Sequence, residues 1–145
     1  MFCLRVELRD STLQEVAPEG RMMARKFTEA QAHKALEWFV RQMRIQDWQV
    51  QLFVQDDPPE WAIDSCTSRT AGLEQSEPRF KTAMIWVCPS NPDADPLEVL
   101  FHEGLHVCAK DTGVENTQEE PPDRIEFLWH RLGALMAKAY RAGVK

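Results

Sequence analysis

One five-residue pattern limits the folds open to this chain more than any other feature. Residues 102–106 read His-Glu-Gly-Leu-His, which places two imidazoles four positions apart. In a helix these side chains lie on one face, one turn apart, so both can reach a single metal ion. Glu103 then lies about 100° around the helix axis, where its carboxylate can address a water molecule on that ion. The pattern therefore predicts a helix that holds a catalytic metal.

The residues around the motif predict a helix independently. Asp95 is a suitable N-cap, Pro96 fits the first helical position, and Glu98 places a carboxylate near the positive end of the helix dipole. Gly113 is positioned to end the helix. Zinc suits the site best, because neutral imidazole nitrogens favour a borderline-soft ion and a catalytic zinc keeps one of four positions for water. The alternative is a helix surface that carries two exposed histidines.

An amphipathic helix and a strand precede this region. Thr28 and Gln31 have the spacing of a capping box. The apolar residues that follow recur at helical period: Ala32, Ala35, Leu36, Phe39, Val40 and Met43. After it, apolar residues recur at every second position, at Trp48, Val50, Leu52 and Val54, and Gln49, Gln51 and Gln55 occupy alternate positions. This period of two predicts a strand with one buried face.

The remaining elements are read from local patterns. Residues 61–70 favour a strand weakly, and Ala71-Gly72 suggests a turn. Residues 79–88 predict a third strand, apolar on both faces over its second half. After an acidic loop at 111–123, Pro121-Pro122-Asp123 opens a third helix.

Length and charge narrow the class of protein. With 145 residues the chain fits one domain, which we place at 27–145, after a tail at 1–26 that is disordered or precedes a natural start at Met22 or Met23. A domain of this size needs neither metal nor disulfide merely to fold. The net charge of −6 argues against nucleic acid and anionic membranes as partners. We find no signal peptide and no apolar run long enough to span a membrane, so we expect a cytoplasmic protein with reduced cysteines.

A catalytic zinc needs a third protein ligand, and spacing separates the candidates. Ala109 and Thr112 stand where a metzincin requires Gly and His, which excludes that class. Asp111 lies close to the end of the helix and would face the ion only if the chain reversed at once. Glu126, twenty residues after His106 and early in the third helix, is the better candidate. The alternative for Glu126 is a first-turn glutamate favoured by the helix dipole.

The motif and a helical glutamate at this spacing resemble the gluzincins, thermolysin-like zinc peptidases. Because the chain is short, it is most similar to the minigluzincins and to small zincin-like peptidases of phages and mobile elements. The resemblance covers about residues 27–142, and it is carried specifically by His102, Glu103, His106 and Glu126. It implies an α+β zincin-like fold: an N-terminal helix, about three mostly antiparallel strands, the motif helix and a C-terminal glutamate helix.

The same resemblance implies roles for these residues. His102, His106 and Glu126 would bind one Zn²⁺ ion, and Glu103 would act as general base in hydrolysis of a polypeptide substrate. The rim strand that pairs with an extended substrate would be Thr82, Ala83, Met84, Ile85 and Trp86, for which an ordinary core strand is the alternative. The alternative function is a non-catalytic zinc module of a phage or mobile-element protein, used for assembly or partner binding.

Two positions depart from the thermolysin-like pattern. Ile125 replaces an asparagine, and His130 replaces the aspartate that orients the first histidine. His130 shares the face of Glu126 and has four alternatives: a hydrogen-bond partner of a ligand, an oxyanion donor, a fourth ligand that closes the site, or a surface histidine. Tyr140 is the only tyrosine, and it either supplies the electrophile or covers the apolar face of the third helix.

Overall fold

The computed structural model describes residues 3–5, 27–113 and 122–143. Residues 6–26, most of the predicted tail with the predicted start, and residues 114–121, most of the acidic loop, lie outside the described residues. The elements follow in the order β1 (Cys3–Arg5), α1 (Glu29–Met43), β2 (Gln49–Val54), a helical turn (Ile63–Ser65), β3 (Thr70–Glu77), β4 (Thr82–Val87), α2 (Pro96–Asp111) and α3 (Pro122–Gly143). Helices and a small mixed sheet confirm the α+β class.

The predicted helix boundaries are confirmed by their capping contacts. In α1 the amide of Gln31 donates to Thr28 Oγ1 at 3.1 Å, and the amide of Thr28 donates to Gln31 Oε1 at 3.0 Å. In α2 the amide of Leu97 donates to Asp95 Oδ1 at 3.0 Å. Gly113, with φ of 78°, follows the last turn of α2. No helix among the described residues combines the length and the apolar character that a membrane crossing requires.

The sheet has the strand order β1-β3-β4-β2. β1 pairs with β3 and β3 with β4 in antiparallel fashion, whereas β2 and β4 run parallel. β1 is an edge strand that the sequence did not predict. Three residues are too few to show an alternation of their own, so this strand is defined only by its pairing with β3.

The prediction of a weak strand at 61–70 followed by a turn at Ala71-Gly72 is wrong. Gly72 lies inside β3, where an added Cβ would lie 2.9 Å from the carbonyl oxygen of Trp86 and against the side chain of Val99. The glycine therefore permits close approach of α2 to the strand, rather than the unusual backbone angles of a turn.

The two faces of the sheet are covered differently. The main core lies between one face of the sheet and the helices α1 and α2, and it includes Phe39, Ile85, Leu100 and Phe101. A second cluster covers the opposite face near Leu73 and Trp86. This arrangement buries α2 on most of its circumference, since nearly every residue from 97 to 109 is buried. The motif residues thus lie inside the domain.

α3 is held against α2 by a close approach at its middle and a charged contact at its end. A Cβ on Gly133 would lie 3.1 Å from the carbonyl oxygen of Glu98 and 3.2 Å from the amide nitrogen of His102. Near the C-terminus of α3, Arg141 makes paired contacts with Asp95 at 2.6 and 2.8 Å. The two helices are therefore fixed in register with the motif facing α3.

Candidate metal centre

The two motif histidines meet inside the core. His102 and His106 are 1% and 0% exposed, and their Nε2 atoms lie 3.1 Å apart. The alternative of a helix surface with two exposed histidines is therefore wrong. Each imidazole turns the same nitrogen toward one point, as the i and i+4 spacing predicts.

Glu126 of α3 reaches both histidines. Its Oε2 lies 3.0 Å from His102 Nε2, and its Oε1 lies 3.0 Å from His106 Nε2. Around a tetrahedral ion with bonds of about 2.0–2.1 Å, neighbouring ligand atoms lie about 3.3–3.4 Å apart. A shift of a few tenths of an ångström would thus admit such an ion between the three side chains.

His130 lies beside this cluster. Its ring centroid is 4.5 Å from that of His102, and ligand atoms of His102, Glu126 and His130 all lie within 4.8 Å of one another. The described residues therefore include a group that could hold a metal ion. His130 is itself exposed, so the alternative of a surface histidine stays open beside the ligand roles.

Electrostatics favour the ligand forms of these side chains. Burial lowers the pKa of His102 against the opposing effect of Glu126, and burial likewise lowers the pKa of His130. Burial acts to raise the pKa of Glu126, but the two adjacent imidazoles outweigh it and lower the pKa to about 2. Neutral imidazoles and an ionised carboxylate are the forms in which these residues bind metals.

Glu103 is enclosed between α2 and β3. It is fully buried, and among the described residues neither carboxylate oxygen has a hydrogen-bond partner. Burial raises the pKa of Glu103 well above its usual range; Glu74 and Glu126 add to this effect, while His106 and Lys110 oppose it. A carboxylate with a raised pKa is suited to accept a proton near neutral pH.

Sequence reasoning missed two charged residues next to Glu103. Glu74 of β3 is fully buried, and Lys110 Nζ donates to its Oε1. The sequence predicted a turn at Ala71-Gly72 just before Glu74, so no local pattern indicated that the Glu74 side chain is buried. The one available signal was its position two residues after Gly72, which places both residues on the same face of β3.

Two predicted site elements do not belong to the site. Tyr140 lies about 21 Å along α3 from Glu126, and its ring packs against Trp38 and Phe101 at 5.4 and 5.9 Å. It covers the apolar core and supplies no electrophile. Residues 82–86 cannot form a rim strand, because β4 is paired with β3 along one edge and with β2 along the other.

A scan against protein-family models and searches of curated proteins and solved structures find no match to this chain. The resemblance to the gluzincins stays a prediction carried by His102, Glu103, His106 and Glu126.

Proposed function

We propose that the protein is a zinc-dependent hydrolase of peptide bonds, with His102, His106 and Glu126 as the metal ligands. One observation carries the proposal: three side chains of ligand type, from two helices, meet in the core. The Nε2 atoms of His102 and His106 lie 3.1 Å apart, and each lies 3.0 Å from a different oxygen of Glu126. Two imidazoles and one carboxylate are a donor set typical of catalytic zinc. When bound, zinc would polarise a carbonyl group and lower the pKa of a water molecule to about 7.

Glu103 supplies the proton transfers in this proposal. Its carboxylate accepts a proton from the attacking water and then donates that proton to the nitrogen of the leaving amine. Its burial supports this role, since a buried carboxylate binds a proton more readily than one in water. The neighbouring Lys110 and Glu74 hold opposite charges in the same buried region.

The substrate approaches from the side of α3. Glu103, His102 and His106 are buried, whereas Glu126 is 22% exposed and His130 is exposed. β3 is the strand adjacent to Glu103, and β1 covers its outer edge at residues 70–73. A polypeptide that pairs with β3 at this point must therefore displace β1.

A second candidate is a metal-binding module without hydrolytic activity, used for assembly or partner binding. The position of His130 favours it, because a fourth protein ligand would fill the place that catalytic zinc keeps for water. In that case replacing Glu103 would change neither zinc content nor any hydrolysis.

The Glu103→Gln variant tests the proposal. Glutamine preserves size but cannot accept the proton, so we expect about one equivalent of zinc and a loss of peptide hydrolysis of about 100-fold or more. The measurements are metal analysis by mass spectrometry and cleavage of a mixed peptide library. Glu37→Gln, on the exposed face of α1, is the matched control and should cleave like the wild type. Equal rates for Glu103→Gln and wild type would refute the mechanism.

A further inference from the structure

We propose that His130 is a detachable fourth protein ligand, which binds the metal in the resting site and leaves it when an external ligand arrives. The inference rests on the proposed metal site at His102, His106 and Glu126. It selects the fourth-ligand role among the alternatives for His130, and it explains how the metal becomes accessible to an external ligand.

The position of His130 supports coordination. It follows Glu126 by one helical turn, so both side chains leave α3 on the same face. A ring nitrogen of His130 lies within 4.8 Å of ligand atoms of both His102 and Glu126. A side-chain rotation of ordinary size can close that distance, since the ring centroids of His130 and His102 are already 4.5 Å apart.

The difference in burial supports detachment. His102 and His106 are enclosed by the core, and moving either would leave a cavity with unpaired polar atoms. His130 is exposed, so its ring can rotate into solvent without loss of core packing. Among the side chains of this cluster, His130 is the one that can leave at little cost in packing.

This assignment predicts a site that is closed at rest. Four protein ligands fill a tetrahedral zinc and leave no position for water, whereas departure of His130 opens one position on the solvent side. An external ligand must then compete with His130. If the closed form exceeds about nine-tenths of the molecules, competition lowers the apparent affinity for that ligand by about tenfold or more.

The first test counts imidazoles on the metal. X-ray absorption of the zinc-loaded full-length protein should give three histidine ligands in the wild type and two in His130→Ala. His33→Ala removes an exposed histidine of α1 that contacts Glu29 instead, and should retain three. Two imidazoles in the wild type overturn the proposal.

The second test uses azide as the external ligand and the cobalt-substituted protein, followed by visible absorption. We expect His130→Ala to bind azide about tenfold or more tightly than wild type and His33→Ala. Equal azide affinities in all three proteins overturn the detachable ligand. These readouts are independent of hydrolysis: three imidazoles without peptide cleavage refute the proposed hydrolase alone, whereas cleavage with two imidazoles refutes the role of His130 alone.

Discussion

At the residue scale, the site concentrates buried polar atoms in a small volume. His102 Nδ1, both oxygens of Glu103 and Oε2 of Glu74 are buried without a hydrogen-bond partner among the described residues. Each such atom costs about 1–3 kcal/mol when it is left unpaired. A core that retains several of them close together is typical of a site that binds a ligand, since water or a metal can offset part of that cost.

The ion pair between Glu74 and Lys110 gives a test at this scale that does not depend on activity. Lys110→Met leaves the buried Glu74 carboxylate without its partner, and we expect the free energy of unfolding to fall by about 3–5 kcal/mol. Urea unfolding followed by circular dichroism measures the change.

The double variant Glu74→Leu with Lys110→Met is the control for this prediction. It replaces the pair by apolar side chains of similar size, so it should recover most of the lost stability. A double variant that is less stable than Lys110→Met alone would show that the pair does more than neutralise a buried charge.

At the element scale, the geometry of the metal centre depends on how closely α3 approaches α2. Gly133 sets that distance, because a Cβ there would press on the backbone of Glu98 and His102. Gly133→Ala should move α3 outward by a few tenths of an ångström and carry Glu126 with it. We expect zinc affinity to weaken by about tenfold, as it does when residues that orient a ligand are changed. Competition with a chelator measures it.

Gly143→Ala is the matched control on the same helix. A Cβ at this position would lie within 4 Å of no described atom beyond the adjacent backbone of its own helix, so the substitution should leave zinc affinity unchanged. If Gly133→Ala binds zinc as tightly as Gly143→Ala, the close helix contact does not position Glu126.

The sheet edge near the site is also an element-scale feature. β1 pairs with β3 through Leu73, Gly72 and Thr70, and Gly72 lies beside Glu103. An edge strand offers unpaired amides and carbonyls to any extended chain, and β1 occupies those groups here. The N-terminal strand and a substrate that pairs with β3 would therefore compete for the same backbone atoms.

At the scale of the whole molecule, the core and the metal centre contribute separately to stability. The main core contains residues of α1, α2, α3 and the sheet, so we expect the chain to fold without the metal. Free zinc at a concentration of about 100 times its dissociation constant raises the free energy of unfolding by about 2.7 kcal/mol. For a domain of this size, that corresponds to a rise in Tm of about 5–10 °C relative to protein in a chelator. Thermal unfolding by circular dichroism measures the difference.

His102→Ala controls for effects of zinc elsewhere on the surface. Its Tm should not respond to zinc, because one of the three proposed ligand side chains is absent. The prediction is contradicted if the wild type is unfolded at 25 °C in chelator. It is also contradicted if the Tm of the wild type is the same with zinc and with chelator.

The sequence by itself determined the helices and the motif. The caps at Thr28 and Asp95 and the spacing of His102 and His106 act over one or two turns of helix, so local pattern is enough to define them. Glu126 was also a sequence prediction, but only the packing of α3 on α2 brought its oxygens to the histidines.

Only the tertiary structure decided the features that depend on long-range pairing of strands. β1, the burial of Glu74 and the interior position of β4 depend on which strands lie side by side, and short strands carry little of that information in their own residues. The same limit applies to His130. Its helical position was evident from sequence, but its distance from His102 is fixed by the contact between two helices.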